Sequence, residues 1–81
     1  MMTFEIKDRV LSKTCIVRCS GERLLTISKY PNKSQLAVTR SLRMKAHDDN
    51  KANIMEMVKD AFNFKPGLYT YDHHVGWDEI K

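Results

Sequence analysis

The sequence lacks the features of membrane proteins and of disulfide-bonded secreted proteins. No apolar run is long enough to span a bilayer, and the N-terminal residues MMTFEIKDR lack the apolar core of a signal peptide. The only two cysteines are Cys15 and Cys19. In an extended segment their Cα atoms would lie about 13 Å apart, which is beyond the reach of a disulfide. We therefore expect reduced, buried thiols in a cytoplasmic protein that does not bind membranes.

Motifs for cofactors and for catalysis are also missing. There is no ribonucleoprotein motif, zinc finger, glycine-rich phosphate loop, internal repeat or low-complexity segment. The histidines and cysteines do not have the ligand spacing of a structural zinc site, and the adjacent His73 and His74 would point in opposite directions in an extended chain. We expect no metal, no cofactor and no catalytic residue. A small ribonuclease using His73 or His74 as general base or acid remains an alternative.

Acidic residues are scarce in the first half of the chain. Residues 1–47 contain ten Lys or Arg and three Asp or Glu, which gives a net charge of +7. Residues 48–81 contain four Lys or Arg and seven Asp or Glu, which gives a net charge of −3. A surface that concentrates this positive charge would attract phosphates with release of counterions.

The length of 81 residues allows a single domain. The composition, with 42% hydrophobic and 30% charged residues, is ordinary for a soluble globular protein and argues against disorder. A chain of this size buries only about 60 to 65% of its unfolded surface, so a homodimer would add useful buried area. We predict one domain over residues 1–71 and a C-terminal tail over residues 72–81.

One helix is predicted over residues 49–64. Its apolar side chains recur at helical spacing and form one stripe: Ile54, Met55, Val58, Ala61 and Phe62. Asp48, Asp49 and Asn50 offer N-cap oxygens at the positive end of the helix dipole. The Pro66-Gly67 pair predicts that the helix ends before it.

Four segments before the helix are predicted as strands, because apolar and polar residues alternate along them. These segments are residues 3–10, 14–19, 23–30 and 35–44. Turn signals occur at 20–22 and 31–34. A helix is the competing interpretation of 35–44, since Ser34 could cap it, but the apolar residues of this segment fit a period of two better: Leu36, Val38, Leu42 and Met44.

These elements predict an α+β fold, in which a four-stranded antiparallel sheet is covered on one face by the helix. Residues 67–71, GLYTY, are a candidate for an additional short edge strand at the C-terminal side. If the helix covers one face, many of the cations remain on the open face and in the hairpin loops. The candidate nucleic-acid-binding residues are Lys7, Arg9, Arg18, Lys29, Tyr30, Arg40, Arg43 and Lys45.

The leading hypothesis is a small non-enzymatic nucleic-acid-binding or regulatory protein that binds RNA or single-stranded DNA through a basic sheet face. A basic surface that only keeps the protein soluble is the plain alternative. The second hypothesis is a protein-binding inhibitor or adaptor, of the kind found among small phage and bacterial regulators, acting on an acidic partner. Its candidate partner-binding residues are Tyr69, Tyr71 and Trp77.

Overall fold

The computed structural model describes the backbone of residues 1–80, and their side chains except those of residues 46–49. The cap side chains predicted at Asp48 and Asp49 therefore lie outside the described residues. In chain order the elements are β1 (Met2–Asp8), β2 (Lys13–Cys19), β3 (Glu22–Lys29), β4 (Ala37–Arg40), a 3₁₀ helix (Leu42–Asn50), α1 (Lys51–Ala61), β5 (Gly67–Asp72) and β6 (Gly76–Ile80).

All six strands belong to one antiparallel sheet in the order β4-β3-β2-β1-β5-β6. The first four strands form a meander, and the 3₁₀ helix and α1 then lead the chain back to the free side of β1. The predicted α+β class is confirmed, but the predicted number of four strands is wrong. The expected edge strand over 67–71 is β5, an inner strand, and the expected tail contributes β6.

The first three strands form where alternation predicts them, because each directs alternate side chains toward the helices. Strand β2 also buries Thr14 and Ile16 on its other face. Phe4 and Ile6 of β1 lie opposite Val17 and Cys15 of β2, and all four are buried. A register shift in the β2–β3 pair adds one residue to β3. The shift accounts for two consecutive core residues there, Leu24 and Leu25.

Helix α1 supplies the cover for this face of the sheet. Ile54, Val58 and Ala61 are buried, as the predicted stripe requires, and Met55 is half-buried. The helix begins at Lys51, and the Asn50 side chain makes no cap hydrogen bond. Burying Ile54 and Val58 stabilises the fold by roughly 1.5 to 3 kcal/mol each, which holds α1 on the sheet.

The prediction of one strand over residues 35–44 is wrong, because β4 spans only Ala37–Arg40. Ser41 ends it: its Oγ donates a hydrogen bond to the Arg23 carbonyl at 2.6 Å, and its N–H donates to the Leu24 carbonyl at 3.0 Å. The 3₁₀ helix follows at once. Leu42 and Met44, predicted on one strand face, therefore diverge, with Leu42 87% exposed and Met44 1% exposed.

The first predicted turn is confirmed as a two-residue hairpin between β2 and β3. Ser20 and Gly21 both have positive φ, 52° and 84°. Such a turn matches the twist of the flanking strands, and glycine adopts this conformation without steric cost. We call the end of the sheet that carries this turn the turn end. The opposite end, where loops 9–12 and 30–36 meet the end of α1, is called the loop end.

Candidate functional site

The division of charge along the sequence becomes a division across the sheet. Strands β1 to β4 and their loops carry eight of the ten cations of the first half, and they occupy one side of the sheet. The other two, Arg43 and Lys45, lie in the 3₁₀ helix that follows β4. Strands β5 and β6 carry Asp72, Asp78 and Glu79 and no Lys or Arg, and β6 forms the opposite edge. The molecule therefore has a basic side and an acidic edge.

The open face, which is the sheet face away from α1, holds two of the predicted cations, and both contact Glu5. The Arg18 Nη1 atom donates to Glu5 Oε1 at 2.7 Å, and Lys7 Nζ lies 3.7 Å from Glu5 Oε2. The Arg18 hydrogen bond and the Lys7 charge hold the pKa of Glu5 below its usual value. These two cations are thus partly neutralised within the protein.

None of the aromatic residues within the described strands lies on this open face. By register, Tyr69 lies opposite the buried Phe4, and Tyr71 and Trp77 pair with each other on the same, helix-covered side. The open face instead carries ion pairs and short neutral side chains such as the half-buried Ser28, whose hydroxyl oxygen lies 3.3 Å from that of the buried Thr14. Its strands offer no ring on which a base could stack.

The loop end gathers cations around a groove of about 360 Å³. Its lining residues are Arg9, Val10, Leu11, Ser12, Lys13, Lys29, Pro31 and Phe62. The Lys13 ammonium already has hydrogen-bond partners within the protein. Its Nζ donates to the carbonyls of Phe62 and Phe64 at 2.8 and 2.6 Å and so caps the end of α1. Arg9 and Lys29 are exposed, and neither takes part in an ion pair among the described residues.

A backbone hydrogen bond and the register of the strands position these residues. The Arg9 N–H donates to the Ser12 carbonyl at 2.8 Å, which closes the loop between β1 and β2. The register of β2 with β3 puts Lys13 directly opposite Lys29. Two like charges in this arrangement repel each other. An anion bound in the groove would relieve that repulsion.

The β3–β4 loop extends the same cationic surface. Tyr30 is half-buried, and the Lys33 ammonium lies 5.5 Å from the centre of its ring, a cation–π contact. Sequence reasoning had not selected Lys33. Its position next to Tyr30 in the loop was the available signal, but only the structure shows that the two side chains meet.

Two exposed aliphatic residues at the loop end were also not identified as site residues from the sequence. Val10 was predicted on the apolar face of the first strand, but β1 ends at Asp8, and Val10 is 100% and Leu11 74% exposed. The signal was present in Asp8, which interrupts the apolar alternation. The β1–β2 loop thus presents two aliphatic side chains between Arg9 and Lys13.

The remaining predicted cations lie toward the turn end. Arg43 Nε forms an ion pair with Glu22 Oε2 at 3.0 Å. Arg40 and Lys45 line a separate shallow groove of about 310 Å³. The structure therefore brings Lys7, Arg9, Lys29 and Tyr30 toward one end of the sheet. It places the other four predicted residues, Arg18, Arg40, Arg43 and Lys45, toward the other end.

The three predicted partner-binding aromatics have different environments. Tyr69 is buried, its hydroxyl donates to the Lys65 carbonyl at 2.7 Å, and burial together with Glu79 raises its pKa. Trp77 is half-buried, and Tyr71 is 38% exposed. Tyr69 is therefore a core residue, whereas Tyr71 is accessible to a partner.

Cys15 and the pair His73 and His74 lie in different parts of the fold, in β2 and in the β5–β6 turn. Within the described part of the chain, no group of three or more His, Cys, Asp and Glu residues could hold a metal ion. Cys15 is free and buried, and burial raises the pKa of its thiol to about 12, so it is unreactive. The His74 N–H donates to Asp72 Oδ1 at 2.7 Å within the β5–β6 turn. No helix in residues 1–80 combines the length and apolar character needed to cross a membrane.

Comparison with protein-family models, with curated proteins and with solved structures finds no match for this chain. Its function is therefore inferred from the geometry and charge described above.

Proposed function

We propose that this protein is a small non-enzymatic nucleic-acid-binding protein that contacts the phosphates of RNA or single-stranded DNA through its loop end. The observation that carries the proposal is the loop-end groove, in which Arg9 and Lys29 are exposed without an ion-pair partner among the described residues. Cations of this kind bind phosphates with release of counterions. Lys7 and Arg18 on the open face, by contrast, already contact Glu5.

Neighbouring groups support this assignment. Tyr30 and Lys33 adjoin the groove, and a tyrosine ring beside cations is a typical platform for an unpaired base. The acidic edge formed by β5 and β6 repels phosphate, so the charge distribution orients a bound strand on the basic side of the sheet.

The experiment is fluorescence anisotropy with a short labelled single-stranded RNA, and with DNA of the same sequence, at about 50 and about 200 mM salt. The test variant is Arg9→Ala/Lys29→Ala. The control is Arg43→Ala/Lys45→Ala, which removes the same charge at the turn end. Both variants are first compared with the wild type by circular dichroism.

We expect wild-type affinity to fall steeply with salt. The loop-end variant should bind at least about tenfold more weakly. Because it lacks two phosphate contacts, its slope of log K against log salt concentration should be shallower by about 1.4. The control should stay within about threefold of the wild type. Absence of binding at low salt, or equal weakening of both variants, would show that the loop end is not a phosphate-binding site.

One observation favours a second candidate function, that of an inhibitor or adaptor that binds an acidic protein. Val10 and Leu11 are exposed between Arg9 and Lys13. Exposed aliphatic side chains add little to phosphate binding, but protein interfaces bury them, and the flanking cations complement an acidic rim.

The matched variants for this candidate are Val10→Ser/Leu11→Ser at the loop end and Leu42→Ser at the turn end, where the side chain is equally accessible. Affinity capture from nuclease-treated cell extract is compared between the two variants and the wild type. The second function predicts a partner that only the loop-end variant loses. Capture that neither variant changes would contradict it, and the anisotropy experiment tests the first function separately.

A further inference from the structure

One stripe of α1 lies at the margin of the core, which only its Met57 contacts. Asn53, Glu56, Met57 and Asp60 follow the i, i+3, i+4, i+7 spacing and share one side of the helix. These four side chains line a groove whose other wall is formed by Tyr71 and His73. We call it the α1–β5 groove. It lies on the helix-covered side of the sheet, away from the open face.

The groove is large enough to receive a side chain or a small ligand. It consists of two adjoining hollows of about 330 Å³ each, which share Asn53, Met57, Tyr71 and His73. The inner hollow is lined by the half-buried Met2 and Met57 above the buried Phe4 and Ile54, so its floor is apolar. A concave, partly apolar site with a few converging polar groups is the usual form of a binding pocket.

An accessible aromatic ring is held rigidly at this site. The ring of Tyr71 is 38% exposed, and its centre lies 5.3 Å from that of Trp77, which packs in turn on the buried Phe4. The His73 ring lies 5.9 Å away in an edge-to-face arrangement. Because this packing fixes Tyr71, its exposed surface can receive a cation with little loss of conformational entropy.

The charge of the groove selects a cation. Glu56 and Asp60 are four residues apart on one helix face, where two carboxylates repel each other. Lys59 Nζ lies 3.6 Å from Glu56 Oε1, but both side chains are mostly exposed and such a pair is weak. Asp60 has no ion-pair partner among the described residues. A bound cation between the two carboxylates would remove their repulsion.

We propose that the α1–β5 groove binds an arginine side chain of a basic peptide segment in a partner protein. A guanidinium group is planar, stacks on an aromatic ring and donates several hydrogen bonds in fixed directions to carboxylates. Tyr71 supplies the ring, Glu56 and Asp60 accept the hydrogen bonds, and the apolar floor takes the aliphatic part of the side chain. This site is separate from the loop end, and its carboxylates repel phosphate.

The probe is an acetylated and amidated tri-arginine peptide, with the tri-glutamate peptide as the charge-reversed reference. Trp77 is the single tryptophan of the chain and contacts Tyr71, so its fluorescence reports on the groove. Isothermal titration calorimetry provides a readout that does not depend on fluorescence. The test variant is Glu56→Gln/Asp60→Asn, and the control is Glu22→Gln/Asp78→Asn, which removes the same charge elsewhere.

We expect saturable binding of tri-arginine, no binding of tri-glutamate, and about tenfold weaker binding by the test variant than by the control. Tyr71→Leu, followed by calorimetry, should weaken binding to a similar extent. The Arg9→Ala/Lys29→Ala protein should bind tri-arginine as the wild type does, which separates this site from the proposed function. Equal affinity of the test and control variants, or no saturation up to about 10 mM peptide, would overturn the proposal.

Discussion

The ring of Trp77 packs edge-on against the ring of Phe4, with centroids 5.0 Å apart and planes inclined at 75°. Phe4 lies in β1 and Trp77 in β6, on either side of β5. Phe64, which follows α1, meets the same indole at 5.1 Å. The contact joins the first and last strands to the end of the helix, so the C-terminal hairpin is part of the folded core.

Replacing Trp77 by alanine should therefore destabilise the whole domain. Truncating a fully buried aromatic residue to alanine lowers the free energy of unfolding by about 3 to 5 kcal/mol. Because Trp77 is half-buried, we expect a loss of about 2 to 3 kcal/mol. Urea unfolding followed by circular dichroism measures the loss. Val75→Ala in the adjacent turn is the control and should change stability by less than about 0.5 kcal/mol. A small effect of Trp77→Ala would mean that the hairpin does not contribute to the core.

Met44→Ala and Leu42→Ala should have very different effects. Met44 fills the core from the 3₁₀ helix, so its truncation should cost about 2 to 4 kcal/mol. Leu42 points to solvent, and its truncation should cost less than about 0.5 kcal/mol. Chemical denaturation of the two variants side by side provides the comparison. Similar losses would indicate that both side chains share one face, as a strand over residues 35–44 would require.

Lys13→Met should destabilise the protein by about 1 to 2 kcal/mol, because the carbonyls of Phe62 and Phe64 lose a charged donor at the end of α1. Lys29→Met is the matched control. It removes the like charge opposite Lys13 and should be neutral or slightly stabilising. Thermal unfolding of both variants tests the pair, and the prediction fails if Lys29→Met is the more damaging change.

The ion pairs of Glu5 should make stability depend on pH in the acid range. The Arg18 hydrogen bond and the Lys7 charge lower the pKa of Glu5 in the folded state. The contribution of ionised Glu5 to the free energy of unfolding is therefore complete above its unfolded pKa of about 4.3. It is lost as the pH falls through the lower pKa that Glu5 has in the folded state.

Glu5→Gln should therefore be less stable than the wild type at neutral pH, by up to about 1 kcal/mol for a partly exposed pair, and the difference should shrink as the pH falls below the unfolded pKa. Urea unfolding at several pH values measures it. Glu22→Gln, which removes the more exposed pair with Arg43, is the matched control. A Glu5→Gln difference that is constant from neutral to acid pH would exclude the mechanism.

The candidate site was only partly predictable. Arg9, Lys29 and Tyr30 were selected from charge and composition, and all three belong to or adjoin the loop end. Arg18 was selected on the same grounds, yet it contacts Glu5. Charge along a chain does not reveal which cations are paired, because ion pairs form between strands whose register depends on the whole sheet.

The amino-acid sequence by itself determined the α1 stripe, the first three strands, the Ser20-Gly21 turn and the unequal charge of the two halves, since each depends on neighbouring residues. Tertiary structure alone decided that Ser41 ends β4 through hydrogen bonds to β3, and that residues 76–80 form a strand. It also decided that the stripe beginning at Asn53 faces Tyr71 across a groove. These features arise from contacts between residues far apart in the chain, which local patterns do not specify.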